Sequence, residues 1–288
     1  MQSSQIPLSI SVVAYRTEPA LLEAALVSIA ASPLSTRVYV TDNSSGSGLK
    51  EIAERFHAIY LHPGRNLGFG RGHNLALQAV ASSSKYHLIL NPDVSFGPSV
   101  LPEIHAFMEA NPGIGWVMPR VLYPDGSQQH LCKRLPTPWD LFCRRFFAIR
   151  AGSLLEKHQH RFKCQDLDLS RPRSVPNLSG CFAFVRTSLL HQVGGFDERF
   201  FLYLEDTDLV RRVGEIAQTV YYPHVSVYHV RGRGSYSDVK LLGHHLRSAI
   251  RYFSKWGWLV DSKRKKINQS VAVEEQNILL PEEALTRR

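Results

Sequence analysis

The chain has 288 residues, 44% of them apolar, and 34 Lys and Arg against 25 Asp and Glu for a formal net charge of +9. That is enough apolar material for a sizeable core and excludes global disorder. No apolar run approaches the roughly 18 residues of a membrane-spanning helix. The basic balance favours anionic partners such as nucleotides, lipid-linked diphosphates or an anionic phospholipid surface. Nucleic acid is suggested by charge alone and is not expected as a partner. Cys132, Cys143, Cys164 and Cys181 form no Cys-x-x-Cys pair, which argues against zinc. No basic head followed by an apolar core is visible after Met1, so a cytosolic, reduced setting with free thiols is expected.

In chain order, residues 8–15 read as a buried strand, and Pro19 opens a helix through Leu21, Leu22, Ala25, Leu26 and Ile29. Residues 37–42 form a second strand closed by Asn43-Ser44-Ser45-Gly46. A helix over 48–56 leads to a third strand at 59–61. The segment Asn66-Leu67-Gly68-Phe69-Gly70-Arg71-Gly72-His73-Asn74 feeds a helix to Ala81, and residues 86–90 are the fourth strand. This strand–helix rhythm predicts an α/β, doubly wound, largely parallel sheet with helices on both faces. Ligands on such sheets sit at the carboxyl ends of the strands, where Tyr15, Asp42 and Asp93 fall. Further on, residues 101–108 read as a helix and Tyr123-Pro124-Asp125-Gly126 as a turn. Residues 132–175 are basic and aromatic without a clear period and are expected to be an insertion or mobile loop over the site. Residues 180–185 read as a strand and Ser188 starts a short helix. Residues 209–214 read as a helix, 219–222 and 225–229 as two strands, and 237–256 as a helix. One domain over 1–260 is expected, with 261–288 a charged, poorly ordered tail.

Two acidic clusters stand out in this basic chain. Asp93 follows an apolar strand and Pro92, so its carboxylate projects from the strand end. It is read as a Mg²⁺ or Mn²⁺ ligand, with a self-bonded turn aspartate as the alternative. Glu205, Asp206 and Asp208 crowd together after Phe200-Phe201-Leu202-Tyr203-Leu204. Adjacent carboxylates in a cleft repel, so at least one pKa should rise. Asp206 is read as a general base with Glu205 beside it, and Asp208 as a helix-start residue that pairs with Arg211 or Arg212. Asp42 is read as a contact to a base or ribose, or as an Asx turn. The glycines of 68–72 either let the backbone approach a nucleotide or mark an ordinary helix entry; the spacing is not the dinucleotide fingerprint. His229 stands before Arg231-Gly232-Arg233-Gly234-Ser235, a loop that suits a diphosphate or, equally, solvent. No other histidine stands out.

The ordered set Asp-Asn-Ser-Ser, the glycine-rich segment, Asn91-Pro92-Asp93, Gly180-Cys181-Phe182, the run from Gly194-Gly195-Phe196-Asp197-Glu198 to Asp208, and His229 with its glycine loop resembles family 2 glycosyltransferases of the GT-A fold. Within that family it resembles bacterial rhamnosyltransferases of lipopolysaccharide or O-antigen assembly. The resemblance implies inverting transfer from a nucleotide sugar, dTDP-L-rhamnose, to a saccharide or lipid-linked acceptor. It further implies that Ala14, Tyr15, Arg16 and Asp42 frame the base and ribose, and that Asn66, Gly72 and Asn74 border the nucleotide. Asn91, Asp93, His229 and Arg231 would serve the metal and diphosphate, Gly180 and Cys181 would lie under a sugar, and Asp206 would be the base. Asn91 replaces the first Asp of the usual Asp-x-Asp, which weakens the implied metal site. UDP- or GDP-sugar donors, and more remotely nucleotidyl transfer, are the competing readings. Interleaved basics and aromatics in 251–258 and 263–266 suit either peripheral attachment to the inner face of an anionic membrane or a packed helix end.

Overall fold

The computed structural model describes residues 6–80, 84–146, 154–230, 239–271, 278 and 280. The first part runs β1 (Ile6–Ala14), α1 (Pro19–Ala30), β2 (Thr36–Asp42), α2 (Lys50–Arg55), β3 (Ile59–Leu61), α3 (Phe69–Val80), β4 (Ser84–Leu90) and β5 (Val94–Phe96). It continues with α4 (Val100–Ala110), β6 (Ile114–Leu122), α5 (Pro138–Phe146), α6 (Leu154–Phe162), β7 (Arg173–Ser174) and β8 (Phe182–Arg186). The last elements are α7 (Thr187–Gln192), α8 (Glu205–Gly214), β9 (Gln218–His229), α9 (Val239–Trp256) and α10 (Ser262–Ser270).

Among the described residues the strands form one nine-stranded sheet in the order β3-β2-β1-β4-β8-β6-β9-β5, with β7 also on β9. The half β3-β2-β1-β4 is parallel, as the strand–helix alternation requires. β8 enters antiparallel between β4 and β6, and β5 lies antiparallel on β9. The sheet is therefore mixed beyond β4. Leu8, Ile10, Val12, Leu88 and Leu90 are fully buried in it, and Leu22, Leu26 and Ile29 pack α1 onto it. Each such side chain stabilises by about 1.5–3 kcal/mol.

The structure corrects several expectations. β5 and β6 lie in a stretch that shows no strand signal in the sequence. The two strands expected at 219–229 are one, β9, kinked by a register shift opposite Pro119 and Arg120. α8 begins at Glu205, so the acidic cluster is its first turn and not the segment before it. Residues 132–146 and 154–175 are structured. Arg134 pairs with Asp166 at 2.8 Å, Lys133 N–H bonds the Asn177 carbonyl, and β7 joins the sheet. The expected poorly ordered tail is wrong for 261–271: α10 is capped by Asp261, which forms a buried pair with Arg211 at 2.8 Å. The side chain of Asn268 bonds both backbone groups of Leu135. Apart from Ile278 and Leu280, which pack against the core, the remaining tail lies outside the described residues, as does the glycine loop 231–235 with Arg231.

Candidate active site

β1 and β4 run side by side and their carboxyl ends open into a cleft of about 680 Å³. Its wall includes Tyr15, Arg16, Asn91, Asp93, Gly180, Cys181, Glu205 and Asp206. Both acidic clusters, 112 residues apart in sequence by subtraction of 93 from 205, thus share one cavity.

The sheet explains this convergence. β5 pairs with β9 in a register that sets Val94 opposite His229, and Val230 N–H bonds the Asp93 carbonyl at 3.0 Å. Asp93 Oδ1 consequently lies 3.4 Å from His229 Nε2, with the Asn91 amide nitrogen also at 3.4 Å from that ring atom. His229 itself does not line the cleft; it stands behind Asp93. Gln129, which the sequence reading did not single out, fixes the ring. Its amide nitrogen donates to the His229 carbonyl at 2.8 Å, so its Oε1 faces Nδ1 at 3.1 Å and accepts from it. With Nδ1 donating to Gln129, Nε2 is the ring nitrogen turned toward Asp93. Among the described residues no three His, Cys, Asp or Glu side chains gather as a closed metal site. A carboxylate and an imidazole lone pair nevertheless form an open set of the chemistry that suits Mg²⁺ or Mn²⁺.

On the other wall, Gly180 N–H donates to Asp206 Oδ2 at 3.1 Å, and Thr207 N–H donates to Oδ1 at 2.7 Å. A Cβ on Gly180 would sit 3.0 Å from Asp206 Cβ, a tight contact that would press on the start of α8. Cys181 lies between the clusters. Burial, and then the charges of Asp93 and Asp206, push its thiol up to about 12, so it is an inert filler. Glu205 is 5% exposed, and burial followed by the charge of Asp206 raises its pKa to about 8. The rise expected for the pair therefore falls on Glu205. Asp208 faces away from the cleft, held by Arg212, Lys255 and the Trp256 indole N–H at 2.7–2.8 Å.

The remaining candidates have other surroundings. Ala14 is fully buried in β1. Asp42 is buried, accepting from Ser44 N–H and the Tyr60 hydroxyl. Asn66 caps its own turn through Gly68 N–H. Asn74 is spent on the backbone of Phe196, from which it accepts and to which it donates at 2.9 Å. The glycines also serve packing. A Cβ on Gly72 would meet Val13 at 2.7 Å, and one on Gly68 (φ +86°) would strike the Phe201 carbonyl at 2.2 Å. Close helix–strand and helix–loop contact is what the glycine segment provides in this structure.

The fold and the cleft together define a class. The crystal structure of GalNAc-T7 with UDP, GalNAc and Mn²⁺ matches at a TM-score of 0.63 and 13% identity, over 88% of this chain and 49% of that one. The structure of S. aureus TarS 1–349 matches at 0.57 and 15%, over 91% and 69%. The fold is that of GT-A glycosyltransferases. A family model described as Glycosyl transferase family 2 matches residues 9–194, and the chain belongs to that family. It is 30% identical over 235 residues to the N-acetylglucosaminyl-diphospho-decaprenol L-rhamnosyltransferase of Mycobacterium tuberculosis, covering 74% of this chain and 73% of that protein. It is 24% identical over 231 residues to Rhamnosyltransferase WbbL of Escherichia coli K12, covering 76% and 82%.

Proposed function

We propose that this glycosyltransferase moves L-rhamnose from dTDP-L-rhamnose, with inversion, onto a lipid-linked saccharide in lipopolysaccharide or O-antigen assembly. The single observation that carries the mechanism is the cleft shared by Asp93 and Asp206. The choice of sugar and acceptor is supported by the rhamnosyltransferase relatives. Tyr15, an exposed ring at the mouth, and Arg16 suit the nucleotide end. Asp206 takes the proton of the acceptor hydroxyl, whose oxygen bonds to the anomeric carbon as the bond to the diphosphate breaks. Two backbone N–H groups keep the Asp206 carboxylate oriented for that transfer. Asp93 and His229 would hold a divalent cation, which when bound neutralises charge on the departing diphosphate.

Thermal-shift measurements with dTDP-, UDP- and GDP-sugars, with and without Mn²⁺, test the donor: a response selective for dTDP supports rhamnose, and a selective UDP or GDP response replaces it. Asp206→Asn should bind donor normally and lose roughly 10²–10⁴-fold in turnover; wild-type turnover would remove Asp206 as the base.

Among the described residues no helix is long and apolar enough to cross a membrane. Peripheral attachment is favoured by one surface. Trp258, Leu259 and Val260 are exposed beside α10 with Lys263, Lys265 and Lys266, and a stacked exposed pair, Trp139 and Phe142, stands on α5. A cavity of about 560 Å³, lined by Thr137, Asp140, His158, Arg161, Leu259 and Lys265, connects these elements. Aromatic tips flanked by lysines suit the interface of an anionic bilayer on the cytoplasmic side. Flotation with phosphatidylglycerol vesicles should recover the protein at low salt, and failure to bind there removes the attachment.

A further inference from the structure

The two carboxyls at the start of α8 are treated differently by their surroundings. Asp206 receives two backbone N–H groups, which stabilise a carboxylate. Glu205 is buried, and its Oε2 has no hydrogen-bond partner among the described residues. Among the described residues the charge that bears on it is that of Asp206, of the same sign. Of the basic side chains on neighbouring elements, Arg212 and Lys255 are committed to Asp208, and Arg211 to Asp261. The titratable groups that share the cleft are Asp206 on its own helix, Asp93 after β4, Cys181 before β8, and Tyr15, Arg16 and Glu18 after β1. Two adjacent carboxyls in such a site hold one proton between them, and the N–H donors on Asp206 direct it to Glu205. Burial acts in the same direction, raising the Glu205 pKa to about 8.

A neutral carboxylic acid has an O–H to donate, and among the described residues Oε2 meets no acceptor for it. Glu205 is nevertheless one of the residues that line the cleft. A buried donor without a partner costs about 1–3 kcal/mol, and that cost is relieved when a ligand oxygen arrives. We propose that Glu205 works as a neutral acid that donates a hydrogen bond to a hydroxyl or ring oxygen of the saccharide beside Asp206, and that it takes no part in proton transfer. This rests on Asp206 being the base, a reading that Asp206→Asn tests separately. It also extends that reading: the proton leaving the acceptor goes to Asp206 because the neighbouring site is already filled.

The test compares Glu205→Gln with Glu205→Ala, measuring kcat and the acceptor KM from pH 6 to 10. Gln keeps a donor of similar shape; Ala removes it. The expected result is that Ala loses about tenfold or more in kcat/KM for the acceptor relative to Gln. Wild-type activity should fall as pH rises through about 8, where Glu205 ionises, and the Gln variant should lack that fall. A folded Gln variant as inactive as Asp206→Asn, or one that keeps the wild-type fall, overturns the proposal. Infrared difference spectra of the wild-type protein provide a readout without any variant. A protonated-carboxyl band that disappears with a midpoint near pH 8 is expected, and absence of that band at neutral pH refutes the assignment.

Discussion

At the scale of single residues, the cleft depends on small contacts that set where a carboxylate points. Gly180 is one. Its N–H holds Asp206 Oδ2, and an added methyl would press on Asp206 Cβ at 3.0 Å. Neither atom yields easily, since one belongs to a strand-start backbone and the other to the first turn of α8. Gly180→Ala is therefore expected to reduce kcat at least tenfold while leaving the thermal shift with donor nucleotide intact, because a small displacement of a base is costly. Gln129 is another. It sets the tautomer of His229 through paired bonds to the ring and to the backbone carbonyl. Gln129→Met keeps the bulk and removes both bonds. If His229 serves a divalent cation, Gln129→Met should raise the Mn²⁺ concentration needed for half-maximal activity by about 10–100-fold; an unchanged requirement would take His229 out of that role.

At the scale of elements, α8 is positioned by its neighbours on one side and presents its carboxyls on the other. Tyr203 and Leu204 both adopt left-handed backbone, φ +69° and +64°, immediately before the helix. Each such residue costs about 1–2 kcal/mol, so packing must impose the turn. α9 supplies that packing. Ser248 donates to the Leu202 carbonyl at 2.8 Å, His244 stacks on Phe201, and Lys255 binds both Asp197 and Asp208. The Arg211 guanidinium lies 4.0 Å from the Trp256 ring centroid. Asp208 is the centre of this clamp and is fully buried. Asp208→Ala leaves Arg212 without its carboxylate and Lys255 with Asp197 alone, and should cost about 3–5 kcal/mol in urea unfolding. The Asp208→Ala, Lys255→Met double variant should recover part of that loss, and strict additivity of the two would mean that the pair is not coupled. The clamp also explains what the sequence concealed. The cluster 205–208 reads as a candidate base at Asp206 and a helix start at Asp208, and the first turn of α8 holds both, because two residues of helical rotation turn Asp206 to the cleft and Asp208 to α9.

At the scale of the whole molecule, the parallel half of the sheet was legible because strand and helix periods alternate cleanly and Pro19 and the turn after Asp42 punctuate them. The antiparallel insertion of β8 was not, since a strand's partners depend on contacts far along the chain that no local pattern records. Asp93 was legible as a residue at the ligand edge of such a sheet, whereas its meeting with Asp206 was expected only from the family resemblance. The surroundings of Asp42, Asn66, Gly72 and Asn74 were not legible, because glycine and amide side chains serve packing and ligand contact with the same residue types. The histidines were missed for a related reason: a buried polar chain has no sequence signature. Ser84, Ser9, His87, Ser11 and His73 form a continuous run of 2.7–2.8 Å bonds between β1, β4 and α3. Burial lowers the pKa of His87 to about 3, and that of His73 well below its usual value. A histidine with a depressed folded pKa contributes stability that is fully present above about pH 6.5 and is lost as pH falls toward the folded value. Each loses about 1.4 kcal/mol per pH unit, and the half-buried His105 adds the same sign. Glu205 acts oppositely: its raised pKa gives stability that is fully present below about pH 4.5 and lost as pH rises to about 8. The carboxylate of Asp197, held low by Arg199 and then Lys255, titrates below this window. Stability measured by urea unfolding should therefore peak near pH 6.5, falling on the acid side through the two histidines and on the alkaline side through Glu205. Glu205→Gln should flatten the alkaline slope and steepen the acid slope between about pH 4.5 and 6.5, and His87→Phe should shallow the acid slope by about 1.4 kcal/mol per pH unit. A stability profile flat between pH 5 and 8 would mean that neither the histidine chain nor Glu205 is held neutral in the folded protein.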